Sequence, residues 1–287
     1  MNIDTRLILP LKDRSPVTDQ GTVKFIGNAT VLIEYGGMTI LTDPTFIHRH
    51  EQVSIGYGMH STRLIDPAME IGDLPPLDLI VLSHFHGDHF DQVAERDLDK
   101  SIPIITNTEA AKALQQRGFR YPKPIGTWSC VAVEKGDMRL RITSMPGRHG
   151  PPLSDFVMPE VMGSILEFEP VSGPPFRMYI TGDTLVYDEL NEIPRRYRDI
   201  DLALLHLGGT RVLGILVTMD GKQGVDLIKL VHPLRAIPIH FNDYDVFTSP
   251  LSDFQNEVAA AGLADRVHYL EHGGTYTFTA TAKRAAA

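Results

Sequence analysis

The chain has 287 residues, 43% hydrophobic and 22% charged, which is the composition of a globular protein with enough length to bury a substantial core. A formal charge of −9 and the lack of any Lys/Arg run exclude an extended basic face, so nucleic acid is not expected as a main partner. The single cysteine, Cys130, excludes an intramolecular disulfide, suits a reducing cytoplasmic setting and reads as a small core residue. Met1 to Pro16 has mixed charge without an apolar signal core, and no apolar run approaches the ~18 residues of a membrane span.

Thr22 to Ile26, Thr30 to Tyr35 and Met38 to Asp43 are rich in strand formers, and Gly36-Gly37 turns the last two into a hairpin. Pro44 stops regular pairing. Residues 45–76, with His48, His50, Tyr57, His60 and three prolines, read as a long irregular excursion that inserts into a pocket. Leu77 to Ser83 is a buried-strand pattern that runs into a histidine cluster. Phe90 to Leu98 is helical, Ile102 to Thr106 a strand, and Thr108 to Arg117 a helix with Thr108 as N-cap and Gly118 as C-cap. Strands follow at 131–133, 139–143, 164–168, 176–181 and 202–205, then a helix at 220–230 and a strand at 236–239. A helix at 250–261 and strands at 267–270 and 275–278 close the chain, and Lys283 to Ala287 is a frayed end. Grouped strands with helices between them favour an α/β sandwich of two sheets covered by helices. No linker divides the chain, which reads as one domain, 1–287, with its core at about 22–278.

The chemistry concentrates at His84-Phe85-His86-Gly87-Asp88-His89. Imidazole and carboxylate are ligands for zinc, iron or manganese, and four in one turn favour sharing between two ions. His84 and His86 share a face if the segment is extended, and the chain can turn at Gly87. The same placement recurs downstream. Arg139 onward leads into His149, Tyr179-Ile180-Thr181-Gly182 ends in Asp183, and Ala236 to Ile239 ends in His240. Polar groups at the ends of core strands need partners, and convergence on a metal site would satisfy them together.

These residues resemble the metallo-β-lactamase superfamily, whose His-x-His-x-Asp-His signature stands at 84–89. The resemblance runs from about Val23 to Gly274. It implies an αββα four-layer sandwich of two mixed, mostly antiparallel sheets flanked by helices. It also implies His84, His86 and His149 on one divalent ion, Asp88, His89 and His240 on a second, and Asp183 between them. Zinc is the expected metal, with manganese and iron as alternatives. Asp43, in Leu41-Thr42-Asp43-Pro44, would orient ligands from behind. Gly27 to Glu34, His206 to Thr210 and Met219-Asp220 are similar to the branch containing L-ascorbate-6-phosphate lactonase and N-acylphosphatidylethanolamine phospholipase D.

The expected reaction is hydrolysis of a small molecule by a metal-bridging hydroxide, with Asp88 orienting the nucleophile and passing a proton. A lactone or other carboxyl derivative is the first substrate class and a phosphodiester the second. An anionic substrate would need a cation, and Arg63, Arg148 and Arg211 are the sequence candidates. A di-iron redox protein would resemble His-x-Glu-x-Asp where this chain has His86, and a non-catalytic metal binder is disfavoured by the complete ligand set. His206 ends a strand and stands between a substrate or orienting contact and a structural role. Asp220 reads first as a helix N-terminal residue and second as a site residue. Tyr57 and His60 are candidates for the pocket wall, which residues 150–162 also shape, while His232, His268 and His272 read as structural. Oligomeric state has no signal in the sequence.

Overall fold

The computed structural model describes residues 3–11, 19–56, 58–151 and 158–280. In chain order the strands begin with β1 (Ile3–Ile8), β2 (Gln20–Gly27), β3 (Thr30–Tyr35), β4 (Met38–Thr42), β5 (Gln52–Ser54) and β6 (His60–Thr62). Next come β7 (Leu79–Val81), helix α1 (Gln92–Asp97), β8 (Ile104–Thr106), α2 (Thr108–Gln116), β9 (Pro122–Pro124), β10 (Cys130–Lys135) and β11 (Met138–Pro146). The chain continues through β12 (Met162–Pro170), β13 (Phe176–Ile180), α3 (Glu192–Arg196), β14 (Leu202–His206), β15 (Arg211–Val212) and β16 (Ile215–Leu216). It closes with α4 (Gly221–Val231), β17 (Arg235–Ile239), α5 (Leu251–Ala260) and β18 (Thr275–Thr279).

Two seven-stranded mixed sheets result, in the orders β18-β2-β3-β4-β7-β8-β9 and β1-β10-β11-β12-β13-β14-β17. Side chains alternate across a strand, so a strand buried on both faces reads as a continuous apolar run. Along β3, Val31 and Ile33 enter the core between the sheets, while Leu32 joins a second core outside. Along β7, Leu79 and Val81 face inward, while Ile80 and the following Leu82 face outward. That outer core is closed by Ala94 of α1 and by Ala110 and Leu114 of α2. On the other sheet, α4 contributes Val225, Leu227, Ile228 and Val231, and α5 contributes Phe254 and Val258. The chain thus has the helix–sheet–sheet–helix layering expected from its sequence.

Helix starts follow side-chain caps. Asp91 accepts from the Val93 and Ala94 amides, and Asp220 accepts from Gln223 N at 2.9 Å. The cap of α2 is Asn107, whose Oδ1 accepts from Ala110 N at 2.8 Å, so Thr108 is the first helical residue and not the cap. Gly118 follows the end of α2 in the left-handed region.

The sequence reading has no counterpart of β9, α3 or the β15–β16 hairpin, and three further segments differ from it. β1 was not anticipated; it pairs in parallel with β10 at the sheet edge. The excursion 45–76 is not wholly irregular, because β5 and β6 form an antiparallel hairpin inside it. Its Val53 is buried with Ile47, Ile55 and Tyr244. Segment 267–270 is not a strand. After one bridge from Val267 to Ala236 it crosses to the other sheet, where Gly273 N donates to Phe25 O at 2.7 Å.

Candidate metal centre

β4 runs parallel to β7, and β13, β14 and β17 run parallel to one another, with β11 in the same sense through the antiparallel β12. Their C-terminal ends therefore meet at one edge of the sandwich. Asp43 follows β4, residues 83–89 follow β7, His149 follows β11, Asp183 follows β13, His206 ends β14 and His240 follows β17. Asn28, Asp43 and His240 hold φ of 51°, 33° and 59°, so non-glycine residues in the left-handed region cluster at this edge.

Local sequence explains how the side chains are aimed. Phe85 turns away and stacks on Phe90 at 5.4 Å between centroids, which leaves His84 and His86 on the opposite face. Gly87 lies against β5; a Cβ there would stand 2.7 Å from Ser54 O. Gly182 is equally confined, with a Cβ meeting Met162 O at 2.6 Å, and it delivers Asp183 to the edge.

Ligand atoms gather into two adjoining sets, His84/His86/His149 and Asp88/His89/Asp183/His240, each within 4.8 Å of one another. His84 Nε2 is 3.2 Å from His86 Nδ1. His89 Nε2 is 3.2 Å from Asp183 Oδ2, and His240 Nε2 is 3.6 Å from both Asp88 Oδ2 and Asp183 Oδ1. Asp88 Oδ1, His89 Nε2, Asp183 Oδ1 and His240 Nε2 are buried without a hydrogen bond. Unpaired buried polar atoms are rare and costly, and these four converge from three segments. Imidazoles and carboxylates converging in this way fit divalent cations.

The outward-facing nitrogens are tied down. His149 Nδ1 donates to Val217 O at 2.9 Å and His240 Nδ1 to Leu207 O at 3.0 Å, which leaves each Nε2 lone pair facing the site. His84 Nδ1 lies 3.0 Å from Ser83 Oγ, and His89 Nδ1 lies 3.1 Å from Asp43 Oδ2. Asp43 is a hub. Its Oδ1 accepts from Ser83 N at 2.6 Å, and its Oδ2 meets Ser83 Oγ at 2.9 Å and His206 Nε2 at 3.3 Å. His206 thus supports Asp43 from behind, with its Nδ1 3.1 Å from Thr181 Oγ1.

Charge is divided between the sets. Burial holds His84 and His149 below the usual imidazole range and His86 at about 4, so the first set is neutral and ready to ligate. Burial acts the same way on His89, but the Asp183 and Asp88 carboxylates outweigh it and raise it well above the usual range; His240 is raised through Asp183 and Asp88. Burial would raise Asp43, yet hydrogen bonds from His206 and His89 bring it to about 2.

Residues 38–241 match the family described as a beta-lactamase superfamily domain. The chain belongs to the metallo-β-lactamase superfamily. Among its relatives, a metal-dependent hydrolase of Archaeoglobus fulgidus is 27% identical over 89% of this chain and 98% of its own length. One from Carboxydothermus hydrogenoformans is 26% identical over 85% and 95%. The isothiocyanate hydrolase from Delia radicum gut bacteria superposes with a TM-score of 0.75 at 20% identity, covering 90% of this chain and all of that one. Igni18, a metallo hydrolase of Ignicoccus hospitalis, gives 0.67 at 24% identity, covering 90% and 98%.

On this metallo-β-lactamase scaffold the seven proposed ligands and Asp43 come together, whereas most proposed substrate residues lie elsewhere. The pocket beside the ligands is lined by His86, Asp88, His149, Asp183 and Thr210 and by apolar side chains. Arg63 does not line it. Its side chain is fully buried, with Nη2 3.6 Å from Asp243 Oδ1 and Nε donating to Ile65 O at 2.8 Å. The Arg148 guanidinium lies 4.1 Å from the Tyr187 ring centroid, and Arg211 donates to Gly214 O at 3.1 Å within its own hairpin. His60 is exposed on β6, and Asp220 caps α4. Tyr57 lies outside the described residues. His48 pairs with Asp66 and Glu70 on the surface, and His272 Nε2 lies 2.8 Å from Asp243 Oδ1. Sequence reasoning gave no role to Asn28, which donates to Asp88 O, and none beyond a strand end to Ser83. Asn107, donating to Ser83 O at 3.0 Å, was also missed. Only the Gly27-Asn28 turn carried a signal, since such a pair marks a left-handed bend.

Proposed function

We propose that this protein is a binuclear metal-dependent hydrolase of an uncharged carboxyl derivative such as a lactone or amide. The observation that carries the reading is the adjoining of two ligand sets, the second of which holds four buried ligand atoms without a hydrogen bond. His84, His86 and His149 would hold one ion, and Asp88, His89 and His240 the other, with Asp183 between them. Divalent ions, when bound there, lower the pKa of water toward neutrality and polarise the electrophilic carbonyl. Asp88 takes the proton of the attacking water at Oδ1, the oxygen left without a protein partner, and passes it to the leaving group as the acyl bond breaks. Asp43, Ser83 and the Val217 and Leu207 carbonyls keep the rings in register. A phosphodiester is less well served, because no Lys or Arg lines the pocket among the described residues.

The test joins metal analysis of the purified protein to assays on lactones, amides, phosphodiesters and an isothiocyanate, the substrate class named for the Delia radicum gut-bacterial enzyme. Zinc, manganese or iron should co-purify, and His86→Ala should lower kcat/KM at least ~100-fold. A protein that binds no transition metal and loses nothing on His86→Ala would overturn the reading. Turnover confined to phosphodiesters would remove the carboxyl assignment.

A further inference from the structure

We infer that the substrate carries an uncharged apolar arm, and that the groove beside the metal ligands selects it. The inference rests on the hydrolase reading of the same site. Ile55 and Met59 reach the groove from the turn between β5 and β6, Val212 and Val217 from the β15–β16 hairpin and its exit, and Val246 from the loop after β17. Separate stretches of chain therefore supply one kind of surface. Of the polar lining residues, His86, Asp88, His149 and Asp183 belong to the ligand sets, which leaves Thr210 as the one other polar side chain among the described residues.

A sugar or polyol would need several hydrogen-bonding partners here, and a phosphate-bearing arm would need a cation. Arg63, Arg148 and Arg211 are each committed elsewhere. Among the described lining residues, Thr210 is the one side chain outside the ligand sets that can meet a polar substrate group, so the remainder of the molecule gains mainly from leaving water. The β15–β16 hairpin extends the same character outward, because Leu213 is 97% exposed and Ile215 51% exposed.

The experiment is calorimetric binding of straight-chain alkyl hydroxamates, from two to eight carbons, to the zinc-loaded protein. A hydroxamate offers two oxygens to a bound cation, and its alkyl chain would then run past Val212 and Val217. Affinity should rise by up to about fourfold per added methylene over the first two or three carbons, the length the small cavity can cover. Val212→Asp, at a half-exposed position, should flatten that slope, and Val212→Ser should give an intermediate one. Equal affinity at all chain lengths, or an unchanged slope in both variants, would overturn the inference and leave the hydrolase reading intact. Preferred turnover of phosphodiesters or of polyol lactones over alkyl lactones would do the same. Absence of any hydroxamate binding to zinc-loaded protein would remove both.

Discussion

At the scale of single residues, Asp43 ties the site together without belonging to either ligand set. Its carboxylate contacts Ser83, His89 and His206 at once. Asp43→Asn keeps the shape but removes the charge that fixes the His89 ring. Zinc affinity at the second set should fall 10- to 100-fold, read by competition with a chromophoric chelator. Unchanged affinity would mean that the ring is oriented by packing alone. Ser83 shows why such residues escape a sequence reading. Its hydroxyl matters because Asp43, 40 positions earlier, comes within 2.9 Å of it. The carbonyls of Val217 and Leu207 are less visible still, since backbone acceptors carry no side-chain signature. Arg63 misleads in the other direction. An arginine in a polar loop looks like a surface cation, and only the fold reveals Asp243 as its partner. The proposed ligands stood out in the sequence because a His or Asp closing an apolar run is conspicuous in one dimension.

Among elements, the excursion after β4 is held by two aspartates. Asp91 accepts from Val93 N at 3.0 Å and Ala94 N at 2.8 Å as the cap of α1, and also from Ile47 N at 2.6 Å and from Phe46 N. One side chain thus starts a helix and pins the loop. Asp91→Ala should cost about 3 kcal/mol in urea unfolding, since a cap and two buried amides lose their acceptor together. A loss below ~1 kcal/mol would show that other groups take over both roles. Asp245 fastens the β5–β6 hairpin, accepting from Ser61 Oγ at 2.8 Å and Thr62 N at 2.9 Å. Burial would raise its carboxyl, but these bonds outweigh it and hold it below the usual range. A depressed carboxyl stabilises above its unfolded pKa and loses that contribution as pH falls through the folded value. Hydrogen exchange at the Val53 and Thr62 amides should therefore accelerate, relative to the core, on acidification below about pH 4. Asp245→Asn should remove that acid-specific step; its persistence would place the clasp elsewhere. The hairpin was hidden in the sequence because its strands have three residues each, too few for a period-2 pattern, and because it borrows Tyr244 to bury Val53.

For the whole molecule, the two seven-stranded sheets were legible and their edges were not. Interior strands such as β3 and β7 fill two cores and read as unbroken apolar runs. β1, half-wetted at an edge, has no such run, and segment 267–270 has strand-forming residues but spends them crossing between sheets. Bound metal should stabilise this architecture as a ligand of the native state alone. Zinc at 100 times its Kd adds about 2.7 kcal/mol, or roughly 5 °C in Tm, over the chelator-treated protein. Equal melting with and without metal, in calorimetry, would argue that ions do not sit in the buried sets. The proposed ligands are also dealt unevenly along the chain. His84, His86, Asp88 and His89 hang from one sheet, while His149, Asp183 and His240 hang from the other. A cation bound by either proposed set would therefore take ligands from both sheets and rivet them together at this edge.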